Sequence, residues 1–345
     1  MLNGPIRLDM NEIPTLPPDH VMGAARRGLS RLNRYADPAD LARLRELLGD
    51  YAGVAPDRII VGPGSDLLLR EMVLAFGRDR TVITPSPTFF PTLETVRHVA
   101  PRWIGLRLSP PDFTLEPEVL LDALDERCLV IIDHPSNPTG QLLLDRGTVR
   151  RVADTPGTLL VVDEAYYEFG SASAVGQDAG SGSFVDLVAD CPSLAVTRTM
   201  DKAFGLAGAR VGYAVVGDAV REAFTGFYAF LPQASLYAAT AALEDASYAE
   251  ETVDRTIAER ERLREALGTM GVRVAPSHTN FLLIRTKMAD IPRRLKEVGV
   301  LVSDVSNQLP PGFIRVSVGT REENDAFLAA FRQIQESSKS LSGRS

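Results

Sequence analysis

The chain of 345 residues contains only two cysteines and four histidines. Cys128 and Cys191 lie beside apolar runs with no metal-type spacing, so they read as small buried hydrophobes in a reducing compartment. The histidines form no HxxxH pattern, and no metal site is expected. No apolar run reaches the ~18 residues of a membrane span. The opening MLNGPIRLDMNE lacks a charged stretch followed by an apolar one, so no signal peptide is expected and the chain reads as cytoplasmic. There is no long Lys/Arg run and the formal net charge is −8, which gives a nucleic-acid partner no support. No internal repeat is visible.

What is present is 45% apolar and 24% charged, a soluble globular composition. The length allows two domains, or one large α/β domain with an appendage. Residues 1–30 read as an irregular, proline-rich arm. Asp37-Pro38 opens a helix as N-cap and first-turn residue, with Leu41, Leu44, Leu47, Leu48 and Tyr51 on one face. Short apolar strands then alternate with helical patterns: 58–62, 81–84, 128–133, 158–163, 193–197 and 211–216. That alternation predicts a mostly parallel sheet covered on both faces. Near residue 245 the texture changes. A long charged helix over 247–270 precedes strands at 280–285, 300–305 and 313–318, which predicts a smaller α+β domain. The expected divisions are an N-terminal arm over 1–30 that forms part of the small domain, a large domain over 31–245, a small C-terminal domain over 246–336 and a disordered tail over 337–345. Gly170 to Ser183 is rich in Gly, Ser and Ala and reads as a surface loop.

In an open α/β sheet, ligands bind beyond the carboxyl ends of the strands. The residues that follow each apolar run are therefore the candidates. They are Gly64-Ser65-Asp66, a turn opening a helix; Pro85-Ser-Pro-Thr-Phe89; Ser136-Asn137-Pro138; Asp163-Glu-Ala-Tyr166; and Thr199-Met-Asp-Lys202 with Arg210 eight residues on. An anion-binding turn, an aromatic ring, an amide, an acid and a lysine suit one cofactor, pyridoxal 5′-phosphate. Its aldehyde needs an amine, its pyridine nitrogen an acid, its phosphate a helix N-terminus and a guanidinium, and its ring a stacking partner. The ordinary alternative for Lys202 is a solvated lysine at a strand end. Its small apolar neighbours Ala203-Phe-Gly-Leu-Ala-Gly-Ala209 weigh against that.

These segments resemble the aspartate-aminotransferase superfamily, fold type I of the pyridoxal enzymes, and within it the histidinol-phosphate aminotransferases. The resemblance rests on Thr199-Met-Asp-Lys202-Ala-Phe-Gly-Leu-Ala-Gly-Ala-Arg210-Val-Gly212, Ser-Asn-Pro-Thr-Gly140, Asp-Glu-Ala-Tyr166, Gly-Ser-Asp66, Leu-Asn-Arg-Tyr35 and Ile-Arg-Val-Ser-Val-Gly-Thr-Arg-Glu-Glu323. It implies a seven-stranded, mostly parallel sheet in the large domain. It implies that Lys202 forms the Schiff base and moves the proton, that Asp163 pairs with the pyridine nitrogen, and that Tyr166 and Asn137 bond the phenolic oxygen. Gly64, Ser65, Asp66, Thr199 and Arg210 would form the phosphate site, Phe89 would stack on the ring, and Asn137 and Arg315 would bind substrate. Arg321 reads as a surface charge at a helix start. Tyr35 would reach the neighbouring subunit's cofactor, which implies a homodimer. The activity implied is amino transfer between glutamate/2-oxoglutarate and an oxo acid, with histidinol phosphate as partner.

Three positions depart from the family pattern. Asp201 stands where a phosphate-binding serine is usual, and its carboxylate is expected to point away or be neutralised. Phe89 replaces a tyrosine. Glu12-Ile-Pro-Thr15 lacks the usual aromatic after the proline. An aromatic or specialised-pathway aminotransferase, a threonine-phosphate decarboxylase and a non-catalytic regulator on the same fold stay open at this level. The regulator reading is disfavoured by the presence of Lys202.

Overall fold

The computed structural model describes residues 4–173, 182–224 and 230–342. Its first strand, β1 (Ile6–Leu8), belongs to a five-stranded sheet that the far end of the chain completes. Between them runs a seven-stranded sheet. Its strands are β2 (Ile59–Gly62), β3 (Thr81–Ser86), β4 (Arg102–Arg107), β5 (Cys128–Asp133), β6 (Thr158–Asp163), β7 (Leu194–Thr199) and β8 (Gly212–Val216). Their spatial order is β2-β8-β7-β6-β5-β3-β4. Every pairing is parallel except those of β8, which runs antiparallel to β2 and β7.

The central strands are apolar on both faces. Along β5, Leu129 and Ile131 pack with Leu68, Met72 and Val96 from the helices Ser65–Phe76 and Phe90–Val99. Cys128, Val130 and Ile132 point the other way, into the core that holds Val149, Phe169 and Phe184. Alternating side chains with both faces covered produce an unbroken apolar run. Burying each Leu or Ile contributes about 1.5–3 kcal/mol, so such runs go to the middle of the sheet. The register then sets the strand ends level. Asp133 of β5 lies opposite Asp163 of β6, and Asp163 lies opposite Thr197 of β7. Thr199 lies opposite Gly212, which in turn pairs with Gly62.

The smaller sheet adds β9 (Arg273–Val274), β10 (Phe281–Arg285), β11 (Val300–Asp304) and β12 (Phe313–Ser317) in the order β1-β11-β12-β10-β9. Ile314 and Val316 of β12 are fully buried beside Leu282, Ile284, Phe327 and Phe331. Arg315 between them therefore faces the opposite side, toward the large sheet. The helix Ser247–Thr269 touches both cores, through Val253 in one and Leu263 and Leu267 in the other.

Some expectations need correction. The arm over 1–30 is not irregular: it holds β1 and a helix, Asp19–Leu29. That helix buries Val21, Ala24 and Gly28, a stripe too small to register as an apolar face. A Cβ on Gly28 would meet the backbone of Ala234 at 2.6 Å, so the glycine permits the close approach of helix Gln233–Glu244. The expected loop from Gly170 begins inside a helix, Tyr167–Ser173, which the buried Phe169 anchors; residues 174–181 lie outside the described residues. The final helix runs from Arg321 to Ser342. The tail expected to be disordered from 337 is therefore helical as far as Ser342, since no Pro or Gly interrupts the segment. The edge strand β4 had no apolar signature, because Arg102, Gly105 and Arg107 are exposed.

Cys128 and Cys191 are buried and unpaired. No described helix is long and apolar enough to cross a membrane.

Candidate active site

A cavity of about 370 Å³ opens at the carboxyl edge of the large sheet. The ends of β5, β6 and β7 form its floor, and Met10, Asn11 and Arg315 reach it from the side of the smaller sheet. Lys202 lies in the turn after β7, held by the buried Ala203 and Phe204. Its Nζ donates to the backbone oxygen of Asn11 at 3.2 Å and sits 5.8 Å from the centre of the Tyr166 ring. The small-residue stretch around it is thus a packed bed that aims one amine into the cavity.

Two acids stand at adjacent strand ends. Asp163 is buried and accepts a hydrogen bond from Thr197 Oγ1 at 2.9 Å. Burial pushes it up to about 7; the Thr197 bond opposes this and the neighbouring Asp133 carboxylate adds to it. Burial pushes Asp133 up to about 6, against bonds from the Asn137 N–H (2.6 Å) and the Thr88 hydroxyl (2.9 Å). Asp133 was not among the residues expected at the site. Its signal was present, since Cys-Leu-Val-Ile-Ile-Asp133 repeats the pattern of Thr-Leu-Leu-Val-Val-Asp163.

A polar network lies opposite Lys202. The Tyr166 hydroxyl accepts from Asn11 Nδ2 at 2.8 Å and from Asn137 Nδ2 at 3.4 Å. Arg315 Nη1 donates to Asn137 Oδ1 at 2.7 Å, and Nη2 to the Asp9 carbonyl at 2.6 Å. Its Nε is buried without a partner among the described residues, and burial draws the guanidinium's pKa down. Asn11 is the centre of this network and went unrecognised in the sequence. It adopts φ 54°, a left-handed conformation that asparagine tolerates. It also takes hydrogen bonds from Asn280 Nδ2 and Ser317 Oγ, and so ties the arm to β12 and to the lysine.

The far end of the cavity is an anion cup. Gly64 turns at φ 94° into the helix Ser65–Phe76, whose first N–H groups point outward unpaired by the helix itself. A Cβ there would collide with Arg210. Arg210 pairs with both Asp66 and Asp201, and Thr199 Oγ1 accepts from the Asp201 N–H at 3.1 Å. Asp201 therefore does not point away from the cup; Arg210 neutralises it. Phe89 caps the helix Phe90–Val99 and lines the cavity.

Tyr35 is not brought to this cavity. It is 78% exposed and packs its ring 4.7 Å from that of Phe230. Arg321 starts the last helix with an exposed side chain. Thr15 lines a neighbouring depression with Ile13, Pro14 and Arg255.

An amine, a near-neutral acid, a phenol and an anion cup around one cavity form a site for carbonyl–amine chemistry on a phosphorylated cofactor. The family model for aminotransferase class I and II matches residues 3–331 of the chain. The chain belongs to the class I and II aminotransferases. It is 34% identical to histidinol-phosphate aminotransferase 1 of Burkholderia pseudomallei, over 96% of this chain and 92% of that protein. It is 37% identical to the histidinol-phosphate aminotransferase of Thermococcus gammatolerans, over 95% and 92%. Among solved structures it resembles the Sinorhizobium meliloti histidinol-phosphate aminotransferase in complex with pyridoxal-5′-phosphate. That match has TM-score 0.83 and 26% identity, over 96% of this chain and 91% of that one. Thermus thermophilus aspartate aminotransferase shares the fold, with TM-score 0.81. This aminotransferase is thus an aspartate-aminotransferase-like, fold-type I protein that acts on small-molecule amino compounds.

Proposed function

We propose that this aminotransferase uses pyridoxal 5′-phosphate to exchange an amino group between glutamate/2-oxoglutarate and the histidinol phosphate/imidazole-acetol phosphate pair. That assignment makes it an enzyme of histidine biosynthesis. The observation that carries the cofactor reading is the convergence of Lys202, Asp163, Tyr166 and the Gly64–Arg210 cup on one cavity. The residues fit the group. The cup needs glycine at 64, the helix start offers unpaired N–H donors, and Asp163 is a buried acid at the opposite end. The substrate reading rests on the relatives' identity over nearly their whole length.

When bound, the cofactor supplies a protonated aromatic ring that accepts the electron pair left on the substrate's α-carbon. Asp163 would hold the proton at the pyridine nitrogen as its charged partner, the pyridinium's positive charge offsetting the burial that otherwise favours the neutral acid. Tyr166 and Asn137 orient the ring through its phenolic oxygen, and Phe89 stacks on its face. Ser65, Thr199, Arg210 and the helix N-terminus bind the phosphate, with Asp66 fixing Arg210. Lys202 would hold the cofactor through its aldehyde, and as a free amine its Nζ would take the proton from the substrate's α-carbon. Arg315 binds the substrate's carboxylate or phosphate, and Asn137 positions it. Tyr35 completes the phosphate site of a partner subunit in a homodimer.

Borohydride reduction of the purified protein followed by peptide mapping is expected to label Lys202 alone. Lys202→Ala is expected to lose the link and at least about 10²–10⁴-fold in turnover. Glutamate with a panel of oxo acids, and histidinol phosphate with 2-oxoglutarate, test the substrates. Turnover without histidinol phosphate reassigns the subfamily, and carbon dioxide release makes the chain a decarboxylase.

A further inference from the structure

The anion cup already holds two carboxylates of its own. Asp66 and Asp201 grip the same guanidinium from either side. They differ in where they stand. The Asp66 side chain is 46% exposed and can turn toward water, whereas that of Asp201 is 10% exposed. Asp201 Oδ2 takes the bond from Arg210. Its Oδ1 is buried, with no partner among the described residues. The residue is pinned between the Thr199 hydroxyl, which accepts its N–H, and Lys202. The charges that face it are Arg210 and Lys202, which favour its ionised form, and Asp66, which opposes it.

Before loading, the ion pair with Arg210 favours the charged form of Asp201 against the burial that opposes it. A phosphate in this cup carries close to two negative charges at neutral pH. It needs Arg210, and it meets there the mostly buried carboxylate of Asp201, which depends on the same guanidinium for its counter-charge. A proton on the Asp201 carboxyl removes the repulsion between the two anions. We infer that Asp201 becomes a neutral carboxylic acid when the cofactor's phosphate occupies the cup and competes for Arg210, so that loading the cofactor takes up one proton from solution. The inference rests on the phosphate-cup assignment above. Burial already pushes the Asp201 pKa upward, in the direction this requires. The proton balance is simple: Asp201 is ionised and paired with Arg210 before loading, and is protonated and still accepting from Arg210 through Oδ2 afterward.

The test is calorimetric titration of the apoprotein at pH 8 in two buffers of different ionisation enthalpy, which counts protons directly. With pyridoxal 5′-phosphate, wild type is expected to take up close to one proton per site more than Asp201→Asn or Asp201→Ser. Its Kd is expected to rise about tenfold per pH unit more steeply than that of the variants. Pyridoxal, which lacks the phosphate, is expected to give the same proton count in all three proteins. Equal counts for pyridoxal 5′-phosphate in wild type and both variants overturn the inference. Failure of every protein to bind pyridoxal 5′-phosphate overturns the cup assignment instead. Two variants guard against one that misfolds, since either one supplies the reference for the proton count and the pH slope.

Discussion

At the scale of single residues, the site is organised by what burial does to acids. Asp163 and Asp133 end two apolar strands, and desolvation pushes them up to about 7 and about 6. The linkage sign follows. A carboxyl whose pKa is raised on folding binds more protons folded than unfolded between the two values. Stability from this source is therefore full below the unfolded value near 4 and falls as pH rises toward 7. Apoprotein melting temperature is expected to drop from pH 5 to pH 7.5, and Asp163→Asn to flatten that drop. The same variant is expected to keep its cofactor yet lose activity by orders of magnitude, because an amide cannot hold the ring nitrogen's proton by charge. Normal turnover in Asp163→Asn would remove Asp163 from that role. Asp163, Lys202 and Arg210 were legible in the sequence because each carries an unusual charge at the end of, or within, an apolar run. Asn11 was not. Its importance comes from four polar groups brought to it from remote parts of the chain, those of Tyr166, Lys202, Asn280 and Ser317, and no local pattern encodes that.

At the scale of elements, the phosphate end depends on how one helix begins. Gly64 has φ 94° and faces Arg210, so Gly64→Ala adds both backbone strain and a steric clash. It is expected to cost about 1–3 kcal/mol of stability and to weaken binding of pyridoxal 5′-phosphate more than of pyridoxal. Chemical denaturation and fluorescence titration check the two effects separately. An equal loss for both ligands would place Gly64 outside the phosphate site. The helix starting at residue 65 and the central strands β5 and β6 were read within a residue, because doubly covered strands and a glycine-led turn leave strong patterns. The helix Asp19–Leu29 and the edge strand β4 were missed. One buries small residues, and the other exposes arginines.

At the scale of the whole molecule, Tyr35 and Phe230 present an exposed pair of rings away from the cavity. In the homodimer proposed above, Tyr35 serves the partner's cofactor. Light scattering is expected to report a dimer. Mixing Tyr35→Ala with Lys202→Ala subunits is expected to restore activity in hybrids that hold one site with both residues intact. An active monomer, or no recovery in verified hybrids, would place Tyr35 outside catalysis. By itself the sequence determined the α/β class, the parallel core, the family and the chemistry-bearing strand ends, because apolar period, turn residues and isolated charges are local properties. The tertiary structure alone decided that Asp133 stands beside Asp163, that Asn11 joins the arm to the lysine, and that Arg210 is shared between Asp66 and Asp201. Those facts depend on strand register and, for Asn11 and Asp66, on contacts between residues more than a hundred positions apart, where the balance of burial against charge is set by the fold and not by neighbours in the chain.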